Sequence, residues 1–190
     1  MVQVKPKLKT FVDFLTYAEV VDGYYELTNG ELIEMPPESD DNLYRALKLY
    51  EALKVVIGMQ QIRLQGIAIA VPGQPKNRYP DLTVLCPEHP EQMRALGQAA
   101  ITLEMAPPLL LVEIVSPGKE SHNRDYIEKR NQYEWRGISE YWVLDPQQNQ
   151  VTVFAMVEGV YEETVFKGSE TIVSLTFPQW QLTADEMLAL

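Results

Sequence analysis

Apolar and polar positions follow two different periods along the chain, and these periods predict its secondary structure. In residues 10–20 and 42–58, apolar side chains recur three and four positions apart, as in amphipathic helices. Residues 24–35 alternate on both sides of Asn29-Gly30, a strong hairpin signal because both turn positions need a positive φ. The N-terminal part therefore predicts a helix with a cap at its first residue, a hairpin and a second helix.

Short apolar runs in the middle of the chain are typical of buried strands. These runs are residues 67–71, 81–85, 109–115 and 139–145. Residues 123–137 have helical spacing, and Gly137 is a suitable residue to end that helix. Two alternating runs, 151–157 and 161–167, predict a C-terminal hairpin. Residues 88–106 fit either a helix after a proline or a long loop.

This order of elements predicts an α/β fold in which helices flank one mixed central β-sheet, with an N-terminal and a C-terminal β-hairpin. The length suits a single domain, 1–190. Its expected core is about 24–154, and the C-terminal hairpin and tail occupy 151–190.

Charge is unevenly distributed over the chain, whose net charge is −11. Residues 1–41 and 141–190 each carry −6, whereas residues 42–140 carry +1. Such acidity argues against a protein that coats nucleic acid. The nearly neutral middle would still let a phosphate backbone approach, and solubility alone also explains the acidic ends.

Cysteine and histidine are scarce, which narrows the kinds of metal site that the chain can build. Cys86 is the single cysteine, so an internal disulfide is excluded and a reducing cytoplasm is the expected location. One cysteine and two histidines argue against structural zinc, so a metal would need oxygen ligands, as Mg²⁺ or Mn²⁺ does. No signal peptide is expected, because no apolar run follows the basic N-terminus. No membrane span is expected, because no apolar run approaches about 20 residues.

Glu113 is an acid within the apolar run 109–115. An ionised carboxylate there costs several kcal/mol unless a cation, a metal or strong donors meet it. Asp81 begins another predicted strand, and if the two strands are neighbours the two carboxylates can face each other. Two carboxylates sharing a site repel, and a divalent cation between them would compensate both.

Lys129 lies on the helix that follows Glu113, and it shares one helical face with Asp125 and Tyr133 because the three are spaced by four. A metal held by Asp81 and Glu113 could promote phosphodiester hydrolysis, since it polarises phosphoryl oxygen and activates water. Lys129 is the candidate to orient that water or to neutralise the developing charge.

Several stretches resemble the PD-(D/E)XK restriction-endonuclease-like superfamily, and more closely its branch of small bacterial proteins described as endonucleases, formerly a domain of unknown function. The matching stretches are YELTNGELIEM, RYPDLTVL, LVEIVSPGKES, RDYIEKRNQYEWRGISEYWVLDP and VTVF. Pro80-Asp81 alone is a weak motif. The run from Glu113 to EYWVLDP is specific, because residue types and spacing agree over some thirty positions.

The resemblance implies a metal-dependent endonuclease that uses Mg²⁺ or Mn²⁺ and acts on nucleic acid, DNA in the first place. It implies Asp81 and Glu113 as catalytic metal ligands and Glu26 as a further acid of the metal site. The superfamily lysine would stand at Val115, but in this branch it comes from the helix, where Lys129 is the matching catalytic residue. A homodimer is also expected, since two strand cuts suit two sites.

The residues by themselves leave simpler explanations open. Asp81 could cap a turn, Glu113 could pair with a buried arginine such as Arg78, Lys129 could be a solvated helix residue, and Glu26 could be a cross-strand partner. If these simpler explanations hold, the protein is a catalytically inactive interaction module that dimerises through its C-terminal hairpins. A phosphoesterase for small substrates is a third hypothesis.

Overall fold

The computed structural model describes residues 8–18 and 22–189, whose helices and strands alternate along the chain. The α-helices are α1 (Phe11–Ala18), α2 (Asp40–Ile57), α3 (His89–Leu96), α4 (Lys119–Asn123), α5 (Arg130–Arg136) and α6 (Ala184–Leu188). The strands are β1 (Tyr25–Thr28), β2 (Glu31–Glu34), β3 (Ile62–Leu64), β4 (Ala68–Ala70), β5 (Asn77–Arg78), β6 (Leu82–Val84), β7 (Ala100–Ile101), β8 (Leu110–Ile114), β9 (Glu140–Asp145), β10 (Gln150–Val157) and β11 (Val160–Lys167). A π-helix, Arg124–Lys129, joins α4 to α5, and a 3₁₀ turn, Met59–Gln61, precedes β3.

The central sheet has six strands in the order β11-β10-β9-β8-β6-β3. Only β8 and β9 run parallel to each other, and the other neighbouring pairs are antiparallel. The predicted mixed sheet is therefore confirmed. The C-terminal hairpin β10–β11 extends this sheet from β9, so it forms part of the sheet rather than an appendage.

Both faces of β8 are covered, which explains its nearly continuous apolar sequence. Leu110, Val112 and Ile114 belong to one apolar cluster, which also contains buried residues of α2 and α6. Leu111 and Val115 belong to a second cluster on the opposite face, which contains Tyr133 and Ile138. Because successive side chains of a strand alternate, Glu113 faces this second cluster.

The N-terminal elements agree with the predictions wherever they are described. Thr10 caps α1, since its hydroxyl oxygen accepts the backbone N–H of Asp13 at 3.1 Å. The hairpin β1–β2 turns at Asn29 and Gly30, whose φ values are 52° and 87°. The predicted helix at 10–20 is observed as Phe11–Ala18, and its last predicted positions lie outside the described residues.

The predicted strand at 67–71 forms, but it does not join the central sheet. It becomes β4 in a separate sheet with the order β5-β4-β7, and β1–β2 form a two-stranded sheet. The unpredicted strand β3 takes the place beside β6. The two or three residues of β3, β5 and β7 stand outside the apolar runs and are too few to show a period. Residues 88–106 contain the helix α3 rather than only a long loop.

Within residues 8–18 and 22–189, every helix is too short or too polar to cross a membrane.

Candidate active site

Asp81 and Glu113 come together because β6 and β8 are antiparallel neighbours. Leu82 pairs with Val112, so Asp81 just before β6 lies beside Glu113 of β8. Both side chains point to the face of the sheet that is covered by the helical segment 119–136, here called the site helix. This arrangement confirms the predicted juxtaposition of the two carboxylates.

Asp81 is buried, and among the described residues one of its carboxylate oxygens has a partner. Its Oδ2 accepts the backbone N–H of Ile114 at 2.7 Å. Its Oδ1 makes no hydrogen bond or ion pair within the described part of the chain and is available to a ligand. Burial first, and then the nearby charge of Glu113, raise the pKa of Asp81 well above its usual value.

Glu113 is almost completely buried, and both of its carboxylate oxygens are engaged. The hydroxyl of Tyr133 donates to Oε1 at 2.9 Å, and the ammonium nitrogen of Lys129 lies 2.7 Å from Oε2. Burial raises the pKa of Glu113, although Lys129 and Tyr133 oppose this increase by stabilising the charged form. The partners of this buried acid are therefore Lys129 and Tyr133, not Arg78.

Lys129 is buried between two carboxylates. Besides Glu113, its ammonium group contacts Oδ1 of Asp125 at 2.9 Å. Burial opposes the charged form, but the attraction of Glu113 and Asp125 outweighs it and raises the pKa of Lys129. Lys129, Asp125 and Tyr133 lie on the buried face of the site helix, as their spacing predicted. Lys129 is therefore not a solvated helix residue.

The site helix changes its geometry where it passes the two carboxylates. Arg124–Lys129 form a π-helix between α4 and α5. Such single-turn insertions are rare and occur often at functional sites. Both Asp125 and Lys129 lie within this segment and are buried in it. The π-helix therefore directs the charged groups of this helix toward the acids of the sheet.

Asp81, Glu113 and Lys129 line a cleft of about 270 Å³. Its polar lining consists of Glu38, Ser39, Gln65, Tyr79, Asp81, Glu113, Ser116, Ser121, Arg124 and Lys129. Together with the buried Asp125, the site contains four carboxyl groups, those of Glu38, Asp81, Glu113 and Asp125, and two cationic side chains, those of Arg124 and Lys129. When all six groups are ionised, the formal net charge is −2. One divalent cation would balance that charge.

The donor set suits a hard metal ion. Carboxylate oxygens are the ligands preferred by Mg²⁺, which commonly keeps several waters and uses one or two protein carboxylates. Asp81 offers a free Oδ1 beside Glu113. No cluster of three or more His, Cys, Asp or Glu side chains in a metal-binding arrangement occurs within residues 8–18 and 22–189. Waters would therefore supply the remaining positions.

Glu26 lies in a neighbouring cluster and is not part of the lining of the cleft. Its Oε2 is 3.0 Å from Nη1 of Arg78, and both side chains are buried. Arg78 also donates from Nε to Gln132 at 2.8 Å and lies 3.5 Å from Glu128. The structure thus pairs Glu26 with Arg78 from another sheet, and its role as a metal ligand stays a prediction.

Sequence reasoning missed Glu38 and Arg124, which also line the cleft. Oε1 of Glu38 accepts a 2.9 Å hydrogen bond from the side-chain amide of Asn42, which also donates to Ser116. The loop PPESDD offered no period or motif to single out Glu38. The sequence offered one clue to Arg124: it directly precedes Asp125, the first residue of the helical face that was predicted to be buried.

Comparison with solved structures shows which fold the chain adopts. A crystal structure of a "putative nuclease belonging to DUF820" from Anabaena variabilis superposes with a TM-score of 0.65 and 15% sequence identity. The match covers 96% of this chain and 98% of the other. With the geometry above, it shows a restriction-endonuclease-like fold, as the sequence resemblance implied.

The particular family follows from the sequence. The model of the Uma2 family, described as "putative restriction endonuclease", matches residues 11–185, so this chain belongs to that family. No protein of curated function matches the chain.

Proposed function

We propose that this protein is a metal-dependent endonuclease that hydrolyses phosphodiester bonds of nucleic acid, with DNA as the substrate. The observation that carries this proposal is that buried Asp81 lines the same cleft as the buried Lys129–Glu113 ion pair. Membership of a family described as restriction endonucleases supports DNA as the substrate.

Asp81 and Glu113 would hold Mg²⁺ or Mn²⁺ through carboxylate oxygens. A divalent ion supplies Lewis-acid polarisation of the phosphoryl oxygen and a lower pKa for bound water. Asp81 is oriented by the backbone N–H of Ile114, and Glu113 by the hydroxyl of Tyr133. These bonds keep one oxygen of Asp81 free and fix the plane of Glu113, which pre-organises the site before substrate binds.

Lys129 would act on the attacking water or on the charge that develops on the phosphoryl oxygens. An ammonium group has three donors, and Glu113 and Asp125 occupy two of them. The third is available to the cleft, which Lys129 lines. Because both carboxylates hold the side chain, Lys129 stays charged and loses little freedom when the substrate arrives.

The test is nicking of a supercoiled plasmid by the purified protein with Mg²⁺, with Mn²⁺ and with EDTA. Glu113→Gln and Asp81→Asn remove the carboxylates, and Glu91→Gln is the matched control because Glu91 is an exposed residue of α3 outside the cleft. We expect metal-dependent nicking by the wild type and by Glu91→Gln, and its loss in the two site variants.

Two other results would contradict the proposal. Equal nicking by wild type and Glu113→Gln would assign the activity to a contaminant or to another site. Absence of nicking, together with absence of metal binding, would favour an interaction module in which the buried ion pairs only stabilise the fold.

A further inference from the structure

Arg124 and Lys129 are the two positively charged side chains on the described lining of the cleft. Lys129 is buried and bound to two carboxylates, so it has one donor left. Arg124 is more accessible, because its side chain is 31% exposed. A phosphate that enters the cleft from solvent would therefore meet Arg124 before Lys129.

The guanidinium group of Arg124 is anchored at one side and free at the other. Its Nε lies 3.4 Å from Oδ1 of the buried Asp125. Its two Nη atoms have no hydrogen-bond partner in the part of the chain that the structure describes. A planar guanidinium with two free nitrogen atoms can donate two parallel hydrogen bonds to the oxygens of a phosphate.

The charge of the cleft makes such a group necessary for a polyanionic substrate. Glu38, Asp81 and Glu113 all line the cleft and repel a phosphodiester. A divalent ion held by Asp81 and Glu113 would compensate the phosphate at the cleaved bond but not the phosphates on either side of it. Arg124 lies on the same wall, while Ser116 and Ser121 offer neutral hydroxyl donors nearby.

We propose that Arg124 binds a backbone phosphate of the nucleic acid at the cleft, with Asp125 holding its guanidinium group in place. This inference rests on the proposed function and adds the group that recognises the substrate. Arg124 contacts phosphate and not bases, so its contribution to affinity is independent of sequence.

The test is the binding of a short fluorescein-labelled DNA duplex, measured by anisotropy in Ca²⁺ over a series of KCl concentrations, with a gel to verify that the duplex stays intact. Arg124→Gln is compared with Arg94→Gln, which removes the same charge from an exposed position of α3 outside the cleft. We expect Arg124→Gln to raise Kd about tenfold at low salt. The slope of log K against log[salt] should fall by about one in magnitude.

Arg124→Lys guards against misfolding, because it keeps a positive charge beside Asp125. We expect it to preserve the salt slope but to raise Kd severalfold, since an ammonium group cannot form the two parallel bonds. Circular dichroism would verify that each variant is folded.

The outcomes separate this inference from the proposed function. Wild-type binding with equal Kd and slope for Arg124→Gln and Arg94→Gln would overturn the role of Arg124 and leave the nuclease proposal standing. If Arg124→Gln does not fold, Arg124→Lys binding as tightly as Arg94→Gln would overturn it. A wild type that binds no duplex at any salt concentration would overturn both.

Discussion

The ammonium nitrogen of Lys129 lies 2.7 Å from Oε2 of Glu113, and both side chains are buried. This contact joins the site helix to the middle of the central strand β8. It also explains how an acid persists in an apolar strand, because Lys129 and the Tyr133 hydroxyl satisfy both carboxylate oxygens. The same contact brings a lysine to the carboxylate pair.

Stability should therefore depend on Glu113 and Lys129 jointly. Lys129→Met leaves two buried carboxylates without their cation, and we expect the free energy of unfolding to fall by about 3–5 kcal/mol. Glu113→Gln/Lys129→Met should cost less than the sum of the single changes, with a coupling of about 1–3 kcal/mol. Urea unfolding of all four proteins measures the cycle, and strict additivity would contradict the buried ion pair.

Tyr133→Phe tests the hydrogen bond on the other oxygen of Glu113. Its loss leaves a buried acceptor unsatisfied, so stability should fall by about 1–3 kcal/mol. Affinity for Mn²⁺ should fall about tenfold, because groups that orient a metal ligand affect binding through it. Tyr126→Phe is the control, since its hydroxyl makes only longer contacts, 3.3 Å and 3.4 Å. Equal Mn²⁺ affinity in wild type and Tyr133→Phe would argue against this role.

Glu26→Gln separates the two possible roles of Glu26. The change leaves buried Arg78 without its buried carboxylate partner and with only the exposed Glu128 nearby, and we expect the free energy of unfolding in urea to fall by about 3 kcal/mol. If Glu26 acts only as the partner of Arg78, affinity for Mn²⁺ in the folded variant should stay near the wild-type value. A decrease as large as that of Glu113→Gln would instead show that Glu26 is a metal ligand.

His89 lies outside the cleft, and it should make the stability of the protein depend on pH. Its Nδ1 accepts the backbone N–H of Cys86 at 3.1 Å, and its Nε2 lies 2.9 Å from the carbonyl oxygen of Ala106. Burial lowers the pKa of His89 below its usual 6.5, so the unfolded chain takes up the proton more readily than the folded chain.

The contribution of His89 is therefore present above pH 6.5 and is lost as the pH falls through the lower pKa of the folded state. The slope of the unfolding free energy is at most about 1.4 kcal/mol per pH unit. Chemical unfolding of wild type and His89→Gln at mildly acidic and neutral pH would detect it. A wild-type slope that His89→Gln does not reduce would contradict this assignment.

Local patterns predicted the parts of the site that lie on regular elements. Glu113 was recognisable as an isolated acid in a buried strand, and Lys129 as a helical neighbour of Asp125 and Tyr133. The strand period that singles out Glu113 persists in β8. Asp125, Lys129 and Tyr133 are all buried as their spacing predicts, although Arg124–Lys129 form a π-helix rather than an α-helix.

Contacts between distant residues were not predictable in this way. Arg78 was a candidate partner for Glu113, but the pairing of β4 with β5 and the packing of the N-terminal hairpin bring it to Glu26 instead. Glu38 reaches the cleft from a loop, where no period constrains its direction. The π-helix also had no sequence signal, because it depends on how the site helix packs on the sheet.

The proposed hydrolysis requires that Asp81 and Glu113 jointly bind a divalent cation beside Lys129. The most direct measurement is calorimetric titration of Mn²⁺ into the metal-free wild type, Asp81→Asn, Glu113→Gln and the exposed control Glu91→Gln. We expect saturable binding by the wild type and the control, and its loss in both site variants while they remain folded. Undiminished binding by Asp81→Asn and Glu113→Gln, or no binding by the wild type, would contradict it.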